Sequence, residues 1–402
     1  MDILLAGGGI GGLTAALWLH RMGMPCRVYE ASPHYNRLGV GINLQPHAMK
    51  ELADLGLQAA LLQRGVEAEE RAYFNTHGEL VYSEPVGRFA GLCYPHVIIQ
   101  RADLHDILLA AVMERLGPDA LLMGHRCSGI EQGDDGVIAR FSKAGSGHAE
   151  VTVKADIAVA CDGLHSAIRR RFYPHEPAPL YCGKTSWRGV ARGKPFLSGA
   201  SVVFVGAYDT GMLVAYPVKT CPDGTQLINL IACAPKKNPL GSDFDKQGRL
   251  NDFIDRFKSW TFDWIDVPRL FSSANDVVEF PLVDRDPLPR WTFGRVTLLG
   301  DAAHPMSPRG GNGAAQAIID ASTLAQCLAG EASPGIALEA YEARRRPATS
   351  DIVLANRQSP PDTILERMEA RTGGGRFDAI AAADELRAIS RNYQRVTGAL
   401  GG

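Results

Sequence analysis

The stretch Asp2-Ile3-Leu4-Leu5-Ala6-Gly7-Gly8-Gly9-Ile10-Gly11-Gly12 decides the fold of the first part of this chain. Residues 3–6 are an apolar run of strand length, and Leu13, Ala16, Leu17 and His20 then recur at helical spacing. Gly7, Gly9 and Gly12 therefore fall on the turn between a strand and a helix. Gly7 permits the tight turn, Gly9 lets a pyrophosphate approach the backbone, and Gly12 lets the helix pack on the strand, with the helix N-terminus facing the anion. An acid is expected about twenty residues further on, to accept the ribose hydroxyls. Glu30 stands there, closing the second strand Cys26-Arg27-Val28-Tyr29. The order strand, glycines, helix, strand, acid marks a dinucleotide site without separating NAD from FAD.

A second stretch, Gly300-Asp301-Ala302-Ala303-His304-Pro305, follows the strand Val296-Thr297-Leu298-Leu299. Gly300 gives close approach, and Asp301 reads either as an acceptor for a polyol hydroxyl or as a helix cap. Pro308, Gly310, Gly311 and Gly313 then form an irregular loop opening onto a helix from Ala314 to about Leu328. The free backbone donors at that helix end would favour negative charge in front of them, as on the pyrimidine edge of a reduced flavin. Two grips so far apart in sequence point to one long cofactor, FAD.

Composition narrows the class. The chain has 402 residues, 46% of them hydrophobic, enough for two or three domains with a large core. Its 42 basic and 44 acidic residues leave no footprint for nucleic acid or an anionic membrane. Eight cysteines without a Cys-x-x-Cys pair argue against a zinc site or dithiol motif, so no metal is expected, and they fit a reducing, cytoplasmic setting. The uncharged run from Ile3 to Leu19 contains five glycines and follows Asp2, so it reads as a buried strand and helix rather than a leader or membrane span.

Between the grips, Gly39-Val40-Gly41-Ile42-Asn43-Leu44-Gln45-Pro46 is either a loop where backbone at Gly41 meets a flat ring or a plain connection. Arg101 stands at a strand-to-helix junction, reading either as a partner for a phosphate or ring oxygen or as a local pair with Asp103. Residues 136–160 read as a β-meander, with a turn around Gly145 and Gly147 and Ile157-Ala158-Val159 as the last strand. That strand runs into Asp162-Gly163, a common turn. From Thr185 to Cys233 several short strands form a mainly antiparallel sheet, and Trp187, Phe204, Tyr208, Met212 and Tyr216 are candidate liners of an apolar pocket upon it. No histidine occurs between His175 and His304, which excludes a histidine base on that sheet.

The ordered set Gly7-x-Gly9-x-x-Gly12, Arg101, Asp162-Gly163 and Gly300-Asp301 resembles the single-component FAD-dependent aromatic hydroxylases of the p-hydroxybenzoate hydroxylase and salicylate hydroxylase type, from Met1 to about Pro347. Within them it is most similar to the phenazine-carboxylate branch, through Leu38 to Asn43, Ser186-Trp187-Arg188-Gly189-Val190, Val214-Ala215-Tyr216-Pro217, Val283 to Pro289 and Gly311-Asn312-Gly313-Ala314. The resemblance implies an α/β fold: a Rossmann-like FAD domain from residues 1–75, 98–179 and 280–346, an inserted antiparallel substrate domain from 76–97 and 180–279, and a C-terminal helical segment over 347–402. It implies that Glu30 holds the adenosine ribose, Arg101 the diphosphate or ribityl part, Asp162 both FAD and the nicotinamide donor, and Asp301 the ribityl chain. Pro305 and the backbone of Gly311, Gly313 and Ala314 would border the isoalloxazine and the substrate. Asn312 and Ala315 stand where many relatives carry glutamine and asparagine, which removes one amide from the flavin edge.

The implied reaction takes NADH or NADPH, molecular oxygen and an aromatic or N-heteroaromatic carboxylic acid and hydroxylates the ring, with or without loss of the carboxylate, in a monomer or homodimer. The alternatives are a hydroxybenzoate-type hydroxylase and a flavin-binding redox protein without oxygenase turnover. A flavin-dependent halogenase is disfavoured, because Trp264-Ile265-Asp266-Val267-Pro268 lacks the first tryptophan of the Trp-x-Trp-x-Ile-Pro stretch those enzymes share.

Overall fold

A computed structural model describes residues 1–35, 39–144, 150–237, 246–331, 333–372 and 379–399. Leu38, Gly145, Gly147 and the triplet Gly373-Gly374-Gly375 lie outside them. The leading apolar run forms the strand Ile3–Ala6, followed by the helix Ile10–Arg21. That strand is the middle of a parallel five-stranded sheet, in the order Val296–Leu298, Ile157–Ala160, Ile3–Ala6, Cys26–Tyr29, Leu121–Leu122. Helices on both faces bury such strands completely, which is why they read as continuous apolar runs.

The same rule corrects the meander. Its strands are His125–Gly133, Gly136–Lys143 and Glu150–Ala155, antiparallel. Ile157–Ala160 leaves them and enters the parallel sheet between Ile3–Ala6 and Val296–Leu298. All four of its residues are buried, whereas Glu150–Ala155 alternates between exposed and half-buried positions.

The second large sheet has eight strands, ordered Lys246–Gln247, Asn275–Asp284, Leu180–Gly193, Gln226–Pro235, Met212–Thr220, Ser201–Val205, Glu70–Phe74, Leu80–Pro85. Glu70–Phe74 pairs in parallel with Ser201–Val205, so the sheet begins before residue 76, where the substrate domain was expected to start. One face packs Trp187, Leu213, Ala215, Leu230 and Ala232 against Phe253, Phe257 and Phe271. The opposite, inner face carries Phe204, Val214, Tyr216, Val218 and Ile231 toward Ile98 of the strand Val97–Gln100. Further along that face, Tyr208, Met212 and Cys233 meet Ile364, Leu365, Met368 and Leu386 from the C-terminal helices Thr363–Thr372 and Ala379–Thr397.

Pro347 does not mark a boundary. It lies inside the helix Pro334–Gln358, which ends at Ser359-Pro360-Pro361. An internal proline costs a helix about 3 kcal/mol. Here Arg345, Thr349, Ile352 and Asn356 of the same helix are buried, and tertiary packing holds the helix through the lost hydrogen bond. No described helix is long and apolar enough to cross a membrane.

Candidate functional site

Three strands of the parallel sheet deliver their following residues side by side. Gly7 N–H donates to Tyr29 O at 2.8 Å, Cys161 N–H to Ala6 O at 2.7 Å, and Leu299 N–H to Ala160 O at 2.9 Å. The glycine turn, Asp162 and Gly300-Asp301 therefore converge on the carboxyl edge, where ligands of open α/β sheets bind. The glycines differ in what surrounds them. A Cβ on Gly7, whose φ is +114°, would lie 2.3 Å from Cys161 O, and one on Gly12 would lie 2.0 Å from Gly7 O. Gly9 has nothing within 4 Å, leaving its face open for a phosphate. Glu30 lies beside this turn, its carboxylate accepting from Gly8 N–H at 2.7 Å and Ser32 N–H at 2.8 Å.

The two helices that follow the grips are neighbours. A Cβ on Gly11 would meet Leu299 at 2.8 Å and Ala317 at 3.4 Å, so the helix Ile10–Arg21 packs against the helix Gly313–Gly330 at their starts. Both N-termini thus serve one edge. Asp301 is exposed there with no protein partner among the described residues. Gly311 is exposed at φ +65° with open space on its Cα, and no side chain caps Gly313 and Ala314, whose N–H groups remain at the helix end. An open glycine at one end, a free carboxylate and uncapped donors at the other fit FAD.

Asn312 turns away from that edge. It is completely buried, its Nδ2 donating to Gly310 O and to Tyr393 Oη, both at 3.1 Å. Ala315 is buried too, so the donors offered to a ring are backbone ones. Tyr393 in turn donates to Asn356 Oδ1 at 2.6 Å, and its hydroxyl occupies the space a Cβ on Gly310 would need, 1.9 Å away. The last described helix thus sets the loop before Gly313. From the other side, Gln45 Nε2 donates to Gly310 O at 3.1 Å.

Asp320 anchors the second grip from below. One carboxylate oxygen accepts from His304 Nε2 at 2.6 Å and from Gly300 N–H at 3.1 Å, the other from Arg345 Nε at 2.7 Å. It is fully buried, and although burial acts to raise its pKa, His304 and Arg345 bring it down to about 2. Asp320, Arg345 and Tyr393 were not among the residues expected from sequence.

The remaining expectations divide. Arg101 is exposed at the start of the helix Arg101–Leu116. Asp103, its alternative partner, faces Arg64 at 3.6 Å instead. Asp162 accepts from Ala167 N–H at 2.8 Å, while its other oxygen is buried without a partner and burial raises its pKa. Gly41 has its N–H taken by Asn229 Oδ1 at 2.6 Å, and a Cβ there would strike Tyr216 at 2.5 Å, so its missing side chain makes room for the second sheet rather than for a ring. Pro305 is buried, its carbonyl accepting from Arg285 N–H at 3.3 Å.

Tyr208, Met212 and Tyr216 lie on the inner face of the large sheet. Trp187 does not. It stacks on Phe253 at 5.1 Å in the core of the opposite face, because strand neighbours alternate sides. Its neighbour Arg188 holds the inner position, and sequence reasoning passed it over.

Comparison with known proteins agrees with this geometry. Residues 1–182 and 283–356 match a family model described as FAD binding domain. The chain is 41% identical over 387 residues to phenazine 1,6-dicarboxylic acid hydroxylase from Lysobacter antibioticus, covering 95% of each chain. It is 30% identical to 6-hydroxynicotinate 3-monooxygenase from Pseudomonas fluorescens, over 87% of this chain and 89% of that one. Klebsiella pneumoniae HpxO complexed with FAD and uric acid shares the fold, with a TM-score of 0.77 at 24% identity over 100% of this chain and 97% of that one.

Proposed function

The chain belongs to the FAD binding domain family of flavin-dependent aromatic monooxygenases, and from that premise we propose that it uses NAD(P)H and O2 to hydroxylate an N-heteroaromatic, phenazine-like carboxylic acid. The likeness to the phenazine dicarboxylate hydroxylase, at 41% identity over 95% of both chains, carries this reading. When bound, FAD supplies what no side chain can, accepting hydride from the nicotinamide and activating oxygen.

The protein's own work is to hold and to shield. The backbone at Gly7, Gly9 and Gly12 would take the pyrophosphate, Glu30 the ribose, and Asp301 the ribityl chain, with Arg101 and Asp162 near the same edge. The uncapped start of the helix Gly313–Gly330 would favour negative charge on the reduced ring. Tyr208, Met212 and Tyr216, packed in buried clusters on the inner face, would back the substrate from within the protein and help keep water from the reacting atoms. Burial pushes the pKa of both tyrosines further up, so neither is poised as a base near neutral pH. A ring activated by its own nitrogen suits such a surface.

The test is product formation by holoenzyme with NADH or NADPH, oxygen-18 gas, and a panel of phenazine carboxylates and hydroxybenzoates. A labelled hydroxyphenazine is the expected product. Label appearing from hydroxybenzoates alone refutes the phenazine assignment, and reduced nicotinamide consumed without any labelled product refutes the oxygenase reading.

A further inference from the structure

Arg188 sits on the strand Leu180–Gly193, between the strands Gln226–Pro235 and Asn275–Asp284, opposite Ile231 and Val278. It is half-buried, burial lowers its pKa, and part of its surface stays accessible. Part of it therefore lies outside the packed core. A cleft of about 550 Å3 opens alongside, between the loop at Gly39 and Val40 and the residues Gly189, Val190 and Val278.

Among the described residues, no counter-charge pairs with this guanidinium. Nε donates to Ser186 Oγ at 3.1 Å, and Cζ lies 4.6 Å from the centre of the Phe280 ring. The ionisable groups acting on it are Cys233, Tyr216 and Tyr208, all pushed toward their neutral forms by burial, and Arg101, which carries the same charge. The other withdrawn arginines are paired: Arg71 with Glu84, Arg169 with Glu176, Arg309 with Asp362, Arg345 with Asp320. Arg188 makes no ion pair among the described residues. A cation removed from water without a partner is costly, and a planar guanidinium is shaped for a carboxylate. Its Nη groups, which make no hydrogen bond among the described residues, can provide the two parallel donors such a bond needs.

We propose that Arg188 is the specificity-determining counter-ion for the carboxylate of the aromatic acid substrate, which enters the inner face of the sheet and completes an ion pair the protein leaves open. The inference rests on the hydroxylase reading above and adds the residue that selects acids over their neutral analogues.

Holoenzyme titrated with phenazine-1-carboxylate and with phenazine-1-carboxamide, followed by perturbation of the flavin absorbance, tests it. Wild type is expected to prefer the acid. Arg188→Met should weaken the acid by roughly 30-fold or more and leave the amide nearly unchanged, since truncating one member of a buried charge pair carries a cost of that size. Arg188→Lys should recover only part, because the charge returns without the bidentate fork. An unaltered preference for the acid in Arg188→Met overturns the proposal, as does loss of FAD from that variant with the preference intact, which would give the guanidinium to the cofactor. The two failures are separable: a wild-type enzyme that labels no aromatic acid refutes the hydroxylase reading, whereas normal labelling with unchanged charge preference in Arg188→Met refutes only the role of Arg188.

Discussion

Replacing Asp320 by asparagine keeps the side-chain volume and removes the charge on which three groups depend. His304 Nε2, Arg345 Nε and Gly300 N–H all donate to this carboxylate, at 2.6, 2.7 and 3.1 Å. Asp320 is fully buried and its pKa is lowered from 3.8 to about 2, so its charge contributes stability that is complete above pH 3.8 and is lost as pH falls through about 2. A shift of that size corresponds to roughly 2–3 kcal/mol at neutral pH. Asparagine also leaves Arg345 buried with Gln316, at 2.7 Å, as its one remaining side-chain partner among the described residues, and breaking such a pair costs roughly 3–5 kcal/mol. We expect about 3 kcal/mol of lost stability. With an unfolding entropy of about 2.1 cal/mol/K per residue, that lowers Tm by roughly 4 °C. FAD retention should fall with it, since the Gly300 turn loses its anchor. Thermal melts of the holoenzyme and equilibrium dialysis of FAD measure both. The paired change Asp320→Leu with Arg345→Met, which removes both charges, should lose less than Asp320→Asn alone. A Tm shift below about 1 °C with unchanged FAD affinity refutes the view that this carboxylate holds the second grip.

Gly12→Ala places a Cβ 2.0 Å from Gly7 O and should yield folded, colourless protein, read from the visible flavin absorbance after purification. Tyr393→Phe removes the donor to Asn356 and the acceptor for Asn312, and should cost about 1–3 kcal/mol while raising the fraction of NADH consumed without product, as the loop before Gly313 loosens. Stability should fall as pH drops below 6.5, because burial lowers His47 to about 4 and His96 to about 3, so the unfolded chain takes up these protons first. Each histidine then costs about 2 kcal/mol at pH 5, visible as a urea midpoint that falls between pH 7 and pH 5 and falls less in His47→Ala. Trp187→Phe should lower stability by roughly 1 kcal/mol and leave the substrate KM unchanged, since the ring packs on Phe253 away from the inner face.

What the sequence disclosed was local. The turn at Gly7–Gly12, the acid at Glu30 and the loop before Gly313 are each encoded within a few residues of the strand or helix they interrupt, and the structure brings them to the carboxyl edge of the parallel sheet. The hidden features join distant segments. Asp320 did leave a trace, as a lone acid beside Ala317, Ile318, Ala321 and Leu324 on an otherwise uncharged helix, which requires a buried cation; Arg345, inside the run Arg344 to Arg346, supplies it. Tyr393 left none, because nothing local ties a tyrosine in the last helix to a glycine more than eighty residues earlier.

The large sheet shows why aromatic character misleads. Both its faces are covered, so its strands lose the alternation of apolar and polar residues that normally tells inside from outside, and Trp187 and Tyr216 look equally suited to a pocket. A charge breaks that symmetry. Of the successive residues Ser186, Trp187 and Arg188, a guanidinium without an ion partner among the described residues is best tolerated where it stays partly accessible, so Arg188 takes the inner face beside Ile231, and the pleat then sends Trp187 to the opposite core. Where a strand is buried on both sides, the unpaired ion locates the ligand more reliably than the rings beside it.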